Sequence, residues 1–412
     1  MGKLGESEWC SGRCVHGDKS RFEVRVCFGF GRGRVFACKL GGSFLEHRSH
    51  VLIRCIPFGK SVKFPNVVTV AQLAAFDEVI DVRSPSEYAE DHVPGAINCP
   101  VLDDAERAAI GTMYKHVSAF DAKKRGAALV AKNIARHIEE KFAAHGKNWR
   151  PLVYCWRGGK RSGAMAHILS EIGWHAAQLD GGYRAYRREI LAQLAELPRS
   201  LQYRVVCGAT GSAKSRLLQA LAAAGAQVLD LEEIACHRGS VLGDIPEHAQ
   251  PAQKMFDSRV WDRLRKFDPM QPVYVEAESK KIGQLQVPDA LLASMRESPC
   301  VLIEAPLDER VAFLVDEYIH FLGKPSELKT KLGCLVGLQS KETIERWTEQ
   351  IENQRWHELV ADLLANHYDP AYLRATKKNF ARLADARLLR PSKLDSKSLK
   401  RLATQMIEEA QT

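Results

Sequence analysis

A single cysteine surrounded by glycines and cations is the part of this sequence best suited to chemistry. The stretch PLVYCWRGGKRSG, Pro151 to Gly163, places Cys155 directly after an apolar run. The residues that follow predict a loop leading into a helix, so backbone N–H groups and the positive end of the helix dipole would surround the sulfur. The side chains of Arg157, Lys160 and Arg161 add positive charge. Because each of these factors favours the thiolate, we expect Cys155 to be ionised at neutral pH and to act as a nucleophile.

The loop around Cys155 could hold an anion, or a second chalcogen atom, against the sulfur. Its glycines allow the backbone to come close, and its cations and hydroxyl would bind negative charge. The cysteine and the second arginine are separated by five residues, which is also the spacing of the cysteine phosphatases. The loop alone therefore leaves chalcogen transfer and phosphate-ester cleavage both open. The predicted anion-loop residues are Arg157, Gly158, Gly159, Arg161 and Ser162.

A second loop, CGATGSAKS, follows the apolar run RVV and precedes a helical pattern. It resembles the phosphate-binding loop Gly-x4-Gly-Lys-Ser/Thr. Lys214 would neutralise a phosphate, and Ser215 would reach a metal ion bound to it. Ala213 stands where the pattern has glycine, so we expect weaker anion binding or a reshaped loop. The predicted phosphate-binding residues are Gly208, Thr210, Gly211, Ser212, Lys214 and Ser215.

Two carboxylates are candidates for acid–base chemistry or for metal binding. Asp230 follows QVL in the segment QVLDL, and Glu276 ends PVYVE. Each lies at the carboxyl end of a predicted strand, where ligands bind in open α/β sheets. Taken singly, each is more simply interpreted as a polar cap. We predict neither a metal centre nor a tightly bound cofactor, and a magnesium ion is compatible with this loop.

Strand and helix patterns alternate through both loops, which predicts an α/β fold with mainly parallel sheets. Residues 61–197 are predicted to form a domain with a parallel sheet, and residues 201–385 a P-loop NTPase-like α/β domain. A helical tail is predicted over 386–412. Residues 1–60 are basic and contain five of the 11 cysteines, and we predict a poorly structured extension there.

The composition argues against two classes of protein. No apolar run approaches the ~20 residues that span a bilayer, so no membrane association is expected. The net charge of +9 is concentrated in the first 60 residues, so nucleic-acid binding cannot be argued from total charge. A basic helix face around Lys123 to Arg136 is more simply a solvated surface than an RNA contact. The scattered cysteines are typical of a reducing compartment.

The quoted motifs resemble two known families. The segment DVRSPSEYAEDHVPGAINCP, with the thiol loop about 55 residues after it, resembles the rhodanese family, which carries sulfur or selenium on the loop cysteine. The stretch from about Val68 to Tyr372 resembles the bacterial tRNA 2-selenouridine synthases. The motifs that carry this resemblance include VYCWRGGKRSGAMAH, LDGGYRAYRR, CGATGSAKSRLLQAL, VEAESKKIG and HYDPAY. The loop GATGSAKS is also similar to that of tRNA dimethylallyltransferases.

The second resemblance implies a cytoplasmic bacterial enzyme that acts on tRNA carrying wobble 2-thiouridine. A geranyl group from geranyl diphosphate would first be placed on the sulfur, and selenium from selenophosphate would then replace the geranylated sulfur. It implies that Cys155 carries selenium or sulfur, that its loop holds the anionic cargo, and that Lys214 and Ser215 bind the diphosphate or selenophosphate.

The residues themselves leave three other interpretations open. One is a cysteine phosphatase or a sulfurtransferase on the rhodanese fold. Another is a P-loop kinase with a regulatory rhodanese domain. A third is a tRNA-binding protein without activity, in which Ala213 has disabled the phosphate loop. Nucleotide hydrolysis would favour the second, and tRNA binding without any change in nucleoside mass would favour the third.

Overall fold

The computed structural model describes residues 66–410, except for Val241, Glu247, Cys334 and residues 336–338. The extension predicted over residues 1–60 lies outside the described residues. None of the described helices is long and apolar enough to cross a membrane.

The first half of the described chain, residues 66–200, is here named the thiol-loop domain. Its strands are β1 (Asn66–Val68), β2 (Glu78–Asp81), β3 (Ile97–Asn98), β4 (Pro151–Tyr154) and β5 (Ala177–Leu179). Its helices are α1 (Pro85–Glu90), α2 (Asp104–His116), α3 (Ala119–His137), α4 (Lys160–Ile172) and α5 (Gly182–Glu196). The strands pair in the order β1-β5-β4-β2-β3, all parallel. The strand that ends at the thiol loop, β4, is therefore central and is buried along its whole length.

Local sequence signals begin and end these helices. Ser84 caps α1 together with Glu87 in the predicted capping box. The side chain of Asp103 accepts a hydrogen bond of 2.7 Å from the amide of Glu106 at the start of α2. Helix α4 ends at Gly173, whose φ of 108° is open to glycine because it has no Cβ. The helix that follows the thiol loop thus has a fixed length and direction.

Residues 201–410 form a second α/β domain, here named the phosphate-loop domain. Its strands are β6 (Gln202–Gly208), β7 (Gln227–Leu229), β8 (Pro272–Glu276), β9 (Lys281–Ile282), β10 (Leu285–Gln286), β11 (Cys300–Ile303) and β12 (Arg387–Leu389). Five of them pair in parallel in the order β12-β11-β6-β8-β7, and β9 and β10 form a short antiparallel pair. As in the first domain, the central strand, β6, leads into the loop that carries the candidate site.

The helices of this domain fall into two sets. Those that lie between successive strands up to β11 are α6 (Lys214–Ala223), α7 (Leu231–Ala235), α8 (Gln253–Leu264) and α9 (Asp289–Glu297). Those that follow β11 are α10 (Leu307–Glu317), α11 (Ile319–Leu322), α12 (Pro325–Gly333), α13 (Lys341–Glu352), α14 (Trp356–Leu363), α15 (Asp369–Asn379) and α16 (Ser396–Ala410). Much of this second set packs around a separate apolar cluster that includes Phe321, Trp347 and Leu359.

The final segment differs in one respect from the helical tail predicted over 386–412. Residues Arg387–Leu389 form β12, which pairs with β11 and completes the edge of the sheet. Helix α16 then buries Leu399, Ala403 and Met406 in the same apolar cluster as α6 residues. A three-residue strand is too short to give a period in the sequence, so only the helix could be recognised. The segment is part of the phosphate-loop domain and not an appendage to it.

A continuous apolar core joins the two domains. Tyr186 and Ile190 of α5 belong to the same buried cluster as Trp261 and Leu264 of α8. The rings of Tyr186 and Trp261 meet edge to face, with their centroids 5.7 Å apart. The indole N–H of Trp261 donates to the side-chain oxygen of Gln193 at 2.7 Å. The two sheets therefore share one hydrophobic interior.

Polar contacts complete this interface. The carboxylate of Asp91, 1% exposed, accepts hydrogen bonds of 2.8 Å from the hydroxyls of Tyr183 and Ser258. Arg187 forms an ion pair with Asp257. Tyr183 and Arg187 lie on α5, whereas Asp257 and Ser258 lie on α8. These contacts fix the orientation of the two loops relative to each other.

Candidate functional site

Cys155 lies at the carboxyl end of β4, where the chain turns into the thiol loop. Its side chain is buried, with 3% of the residue exposed. The Sγ atom accepts hydrogen bonds from the amide of Gly159 at 3.3 Å and from the hydroxyl of Ser162 at 3.2 Å. The sulfur is therefore surrounded by hydrogen-bond donors of the loop, as predicted.

The pKa of the Cys155 thiol is lowered despite its position. Burial by itself raises the pKa, and this is the largest single effect. The Ser162 hydroxyl and the amides of Ser162, Arg157 and Gly159 together outweigh burial and lower the pKa. The sequence predicted that loop amides, the helix dipole and nearby cations would all lower this pKa. In the structure the leading causes that lower it are hydrogen bonds from the loop amides and from the Ser162 hydroxyl.

The two predicted arginines of the loop, Arg157 and Arg161, differ in exposure and in contacts. The side chain of Arg161 lies 3.5 Å from the carboxylate of Glu87 and is partly buried. Arg157 is exposed at the surface of the loop. Both arginines belong to the thiol loop and are partly or fully exposed, so they can contact a negatively charged ligand that approaches from solvent.

Backbone geometry keeps the thiol loop in shape. Gly158 has a φ of 63°, and a Cβ there would come within 2.5 Å of the carbonyl oxygen of Leu179. The side-chain amide of Gln178 donates to the carbonyl oxygen of Gly159 at 3.1 Å and to the Ser162 hydroxyl at 3.0 Å. A Cβ at Gly182 would approach the carbonyl oxygen of Cys155 to 2.2 Å. The Gly-Gly turn of the LDGGYRAYRR motif is thus needed for close packing against the loop.

The phosphate loop follows β6 and leads into α6. The ammonium group of Lys214 donates to the carbonyl oxygen of Gly208 at 2.9 Å and lies 3.4 Å from the carboxylate of Glu276. The hydroxyl of Ser215 donates to Glu232 at 2.9 Å and to Glu276 at 3.1 Å. The lysine and the hydroxyl that phosphate binding requires are held side by side at the start of α6.

Ala213 adopts the backbone conformation that glycine favours, with a φ of 58° and a ψ of 31°. Its methyl group is 4% exposed and packs in the apolar cluster with Leu217 and Leu218. The loop therefore runs through this position in the left-handed region, with alanine in place of glycine.

The other predicted phosphate-loop residues divide into two groups. Thr210 and Gly211 line the cavity in front of Lys214 and Ser215. Ser212 is buried, with 1% exposed, and a Cβ at Gly208 would lie 2.4 Å from its Oγ. Gly208 and Ser212 thus pack against each other within the loop and do not line the cavity.

Both predicted carboxylates, Asp230 and Glu276, line this cavity. Four glutamates that were not predicted line it as well: Glu232, Glu233, Glu278 and Glu317. The carboxylate of Asp230 caps α7 by accepting from the amide of Glu233 at 2.9 Å. Oxygen atoms of Glu232, Glu276 and Glu278 all lie within 4.8 Å of one another. Sequence reasoning missed Glu232 and Glu278, although each follows a predicted strand end by two residues.

The crowding of carboxylates changes their titration. Burial, followed by the charges of Glu276 and of other carboxylates, raises the pKa of Glu232 well above its ordinary value. The same two causes raise the pKa of Glu278 to about 8. Burial also raises the pKa of Asp230 to about 6. The pKa of Lys214 is raised: its burial acts in the opposite direction, and the surrounding acidic groups outweigh it. Carboxyl groups with raised pKa values hold protons at neutral pH, and a cation could displace those protons from the cluster.

Two later helices clamp the phosphate loop. The hydroxyl of Tyr372 on α15 accepts a hydrogen bond of 2.6 Å from the amide of Gly208. Arg310 on α10 donates to the carbonyl oxygen of Thr210 at 2.9 Å and pairs with both carboxylate oxygens of Asp369 at 3.1 and 2.6 Å. Tyr372 and Asp369 belong to the HYDPAY motif, to which the sequence analysis gave no role. No motif in the sequence pointed to Arg310.

The cavity enclosed by these groups has a volume of about 680 Å³. Its walls come from the phosphate loop, the acidic cluster, α10 and α15. A basic and hydroxyl-bearing loop therefore faces carboxylates across a space large enough for a substrate of several dozen atoms.

Comparison with known proteins gives matches to both domains. The family model described as the tRNA 2-selenouridine synthase AAA domain matches residues 201–333. The rhodanese-like domain model matches residues 68–189.

Three curated relatives match across both domains. The tRNA 2-selenouridine synthase of Nitrosomonas europaea is 33% identical over 280 residues, which cover 66% of this chain and 72% of that protein. The synthase of Alcanivorax borkumensis is 32% identical over 71% of this chain and 88% of its own length. That of a Sulfurovum species is 30% identical over 74% and 90%.

Proposed function

The chain belongs to the tRNA 2-selenouridine synthase family, and we propose that it converts wobble 2-thiouridine in tRNA to 2-selenouridine through a geranylated intermediate. It is a tRNA-modifying enzyme with a rhodanese-like domain and a P-loop-like domain. The observation that carries the finer proposal is the presence, in one unit, of a hydrogen-bonded thiol at Cys155, with a lowered pKa, and of a lysine-bearing phosphate loop at Lys214. We assign its place of action to the bacterial cytoplasm.

The first stage is prenyl transfer at the phosphate loop. The sulfur of 2-thiouridine forms a bond to C1 of geranyl diphosphate, the diphosphate leaves with the electron pair, and the proton on N3 of the base is lost. Lys214 and the amides of the loop would bind the leaving diphosphate. The alkylated sulfur is a better leaving group than a bare thiocarbonyl, which prepares the second stage.

The second stage exchanges sulfur for selenium. Selenium from selenophosphate attacks C2 of the base and expels geranyl thiol, and water takes up the phosphoryl group, so the products are 2-selenouridine, geranyl thiol and phosphate. We assign to Cys155 the role of carrying selenium. The amide of Gly159 and the hydroxyl of Ser162 donate hydrogen bonds to its sulfur, and the same groups can donate to a selenium anion.

The acidic cluster fits a magnesium ion. Glu232, Glu276 and Glu278 offer oxygen ligands close together, and Ser215 lies beside two of them. Magnesium prefers carboxylate oxygens and is commonly shared with substrate phosphates. Bound there, the ion would supply charge neutralisation for a diphosphate.

The tRNA would lie across basic surfaces of both domains. On α3 the side chains of Lys123, Arg125, Lys132 and Arg136 are exposed to solvent. Cations in such an arrangement bind the phosphate backbone without reading sequence.

Nucleoside mass spectrometry tests this proposal. Purified protein is given tRNA containing 2-thiouridine, then geranyl diphosphate and magnesium, then selenophosphate. We expect the mass of geranylated 2-thiouridine after the first addition and that of 2-selenouridine after the second. Lys214→Ala is expected to block the first stage, and Cys155→Ala to accumulate the geranylated nucleoside.

Two matched controls separate these roles from general damage. Cys99→Ala removes another buried cysteine, whose pKa is raised to about 11 by burial and which lies outside both loops. Lys281→Ala removes an exposed lysine of β9. Both controls are expected to give 2-selenouridine. An unchanged 2-thiouridine mass, with folded protein that binds tRNA, would refute the two-stage proposal.

A further inference from the structure

A second, smaller cavity lies next to the phosphate loop. It has a volume of about 70 Å³ and lies among α10, α11, α12 and α14. Its walls are almost entirely aliphatic and aromatic. The lining residues that matter below are Leu314, Val315, Phe321, Leu328, Leu359 and Val360.

This apolar cavity adjoins the larger cavity at the phosphate loop. Thr210 of the loop lines both spaces, as do Leu314 and Tyr318 of the α10 region. A ligand that begins at Lys214 and extends past Thr210 would therefore pass from a charged space into an apolar one. The two spaces together fit a molecule with an anionic head and a hydrocarbon tail.

Enclosed apolar cavities exclude water and bind hydrocarbon. The lining residues Leu328 and Leu359 are 5% and 2% exposed, so this part of the wall is shielded from solvent. At about 70 Å³ the space is roughly half of the ~150 Å³ cavity that accepts a benzene ring. It can take the end of a hydrocarbon chain, with the remainder lying in the larger cavity.

We propose that this apolar cavity binds the distal end of the prenyl chain of a diphosphate held at Lys214, and that its depth sets the chain length the protein accepts. The proposal rests on the proposed function of the phosphate loop. It adds to that function a subsite built by the helices after β11, and a cause for selectivity among prenyl diphosphates.

Binding of a homologous series tests the subsite. Isothermal titration calorimetry in magnesium buffer would compare inorganic diphosphate with prenyl diphosphates of 5, 10 and 15 carbon atoms. Each methylene transferred from water into an apolar space tightens binding about fourfold. We expect the 10-carbon ligand to bind at least ~10-fold more tightly than the 5-carbon ligand, since only the former reaches the cavity. The 15-carbon ligand should show no further gain, because a cavity of about 70 Å³ has no room for the additional carbon atoms.

Two substitutions change the size of the cavity in opposite directions. Val315→Phe would fill it, and is expected to abolish the gain from 5 to 10 carbon atoms while the Kd for inorganic diphosphate changes less than ~2-fold. Val360→Ala would enlarge it and shift the preference towards 15 carbon atoms. Val117→Phe makes the same change as the first variant on an exposed residue of the thiol-loop domain, and should leave the series unaltered.

The outcomes separate this inference from the function on which it rests. If inorganic diphosphate binds but the Kd does not vary with chain length, the subsite is refuted while the phosphate site stands. The same holds if Val315→Phe and Val117→Phe give equal series. If no diphosphate binds the wild-type protein, the proposed function of the loop fails and this inference fails with it. A reciprocal shift in chain-length preference between the two cavity variants would establish the subsite, since misfolding cannot produce it.

Discussion

At the scale of single residues, the hydroxyl of Ser162 has a direct effect on the thiol of Cys155. It donates to Sγ at 3.2 Å and is the largest of the effects that lower the pKa. A hydrogen bond to a charged group is worth about 1.5–3 kcal/mol, and 1.4 kcal/mol corresponds to about one pH unit. We therefore expect Ser162→Ala to raise the pKa of Cys155 by about one unit.

The pH dependence of alkylation measures this shift. The rate of reaction of Cys155 with iodoacetamide, followed by mass spectrometry of the modified peptide, should rise with pH around a midpoint that moves upward in Ser162→Ala. Ser170→Ala is the matched control, because that serine lies on the same helix and its hydroxyl donates to the carbonyl oxygen of Ala166. Equal midpoints in the two variants would show that the amides alone hold the thiolate.

Glu278, in the acidic cluster, contributes to the pH dependence of stability through its raised pKa. Burial and Glu276 raise its pKa to about 8, compared with about 4.3 in an unfolded chain. Because the folded protein binds this proton more tightly, the stabilisation is complete below pH ~4.3 and is lost as the pH rises towards ~8. Glu278→Gln resembles the protonated form and keeps that stability at every pH.

Thermal unfolding in metal-free buffer between pH 5 and 8 tests this assignment. The melting temperature of wild type should fall relative to Glu278→Gln as the pH rises. One unit of the shift corresponds to about 1.4 kcal/mol, or roughly 2–4 °C, so a difference of at least that size is expected at pH 8. Glu196→Gln, an exposed glutamate, should run parallel to wild type. If Glu278→Gln also runs parallel, Glu278 is ionised throughout this range.

The sequence allowed some residues of the two candidate sites to be predicted, but not others. Cys155, Lys214 and Ser215 were recognised because their types and spacing follow known loop patterns. Glu232 and Glu278 were missed because isolated acidic residues near strand ends have many roles in sequence. Only the parallel pairing of β7 with β8 brings them together. The loop amides predicted to surround the Cys155 sulfur do lower its pKa. The charges of Arg157 and Arg161 are not among the leading causes, and the sequence does not tell where these side chains point.

At the scale of the elements, the turn from β6 into α6 shows how the phosphate loop tolerates an alanine. Ala213 has a φ of 58°, a conformation that costs an L-residue about 1–2 kcal/mol. Its buried methyl group recovers about 0.8 kcal/mol by packing beside Leu217. The methyl contact therefore offsets part of the backbone cost and leaves a net cost of up to about 1 kcal/mol.

Substitutions at position 213 test this balance. Ala213→Gly should leave the melting temperature within about 4 °C of wild type, because it relieves the backbone and loses the methyl contact. Ala213→Val should lower it by more than about 6 °C, since a β-branched side chain is strained at positive φ and too large for the site. Differential scanning calorimetry distinguishes the two. A large loss in Ala213→Gly would mean that packing of the methyl group dominates.

The order of strands and helices along the chain could be predicted from the sequence better than the way in which they pack together. Alternating strands and helices placed the strands that carry both loops, and the parallel sheets follow from that alternation. The sequence did not predict that α10 and α15 return to clamp the phosphate loop through Arg310 and Tyr372. These contacts join residues about 100 and 164 positions apart, and no local pattern encodes such a pairing.

At the scale of the whole molecule, the two catalytic domains share an apolar interior instead of meeting at a wet boundary. Trp261 is 3% exposed, packs on Tyr186 of the other domain and donates to Gln193. An interface of this kind makes the unfolding of one domain expose the core of the other, so the described unit should unfold cooperatively. The thiol loop and the phosphate loop would thereby keep a constant spacing, as the proposed two-stage reaction on one nucleotide requires.

Calorimetry of Trp261→Ala tests this coupling. Wild type is expected to melt in one transition. Removing a buried tryptophan costs about 3–5 kcal/mol, here taken from the contact between the domains, so the variant should melt in two separate transitions. Trp174→Ala is the control, because Trp174 packs edge to face on Trp149 within the thiol-loop domain, and it should lower the melting temperature without splitting the transition. Two transitions in wild type would mean that the domains are joined but energetically independent, and the tRNA would then have to be passed between sites whose spacing varies.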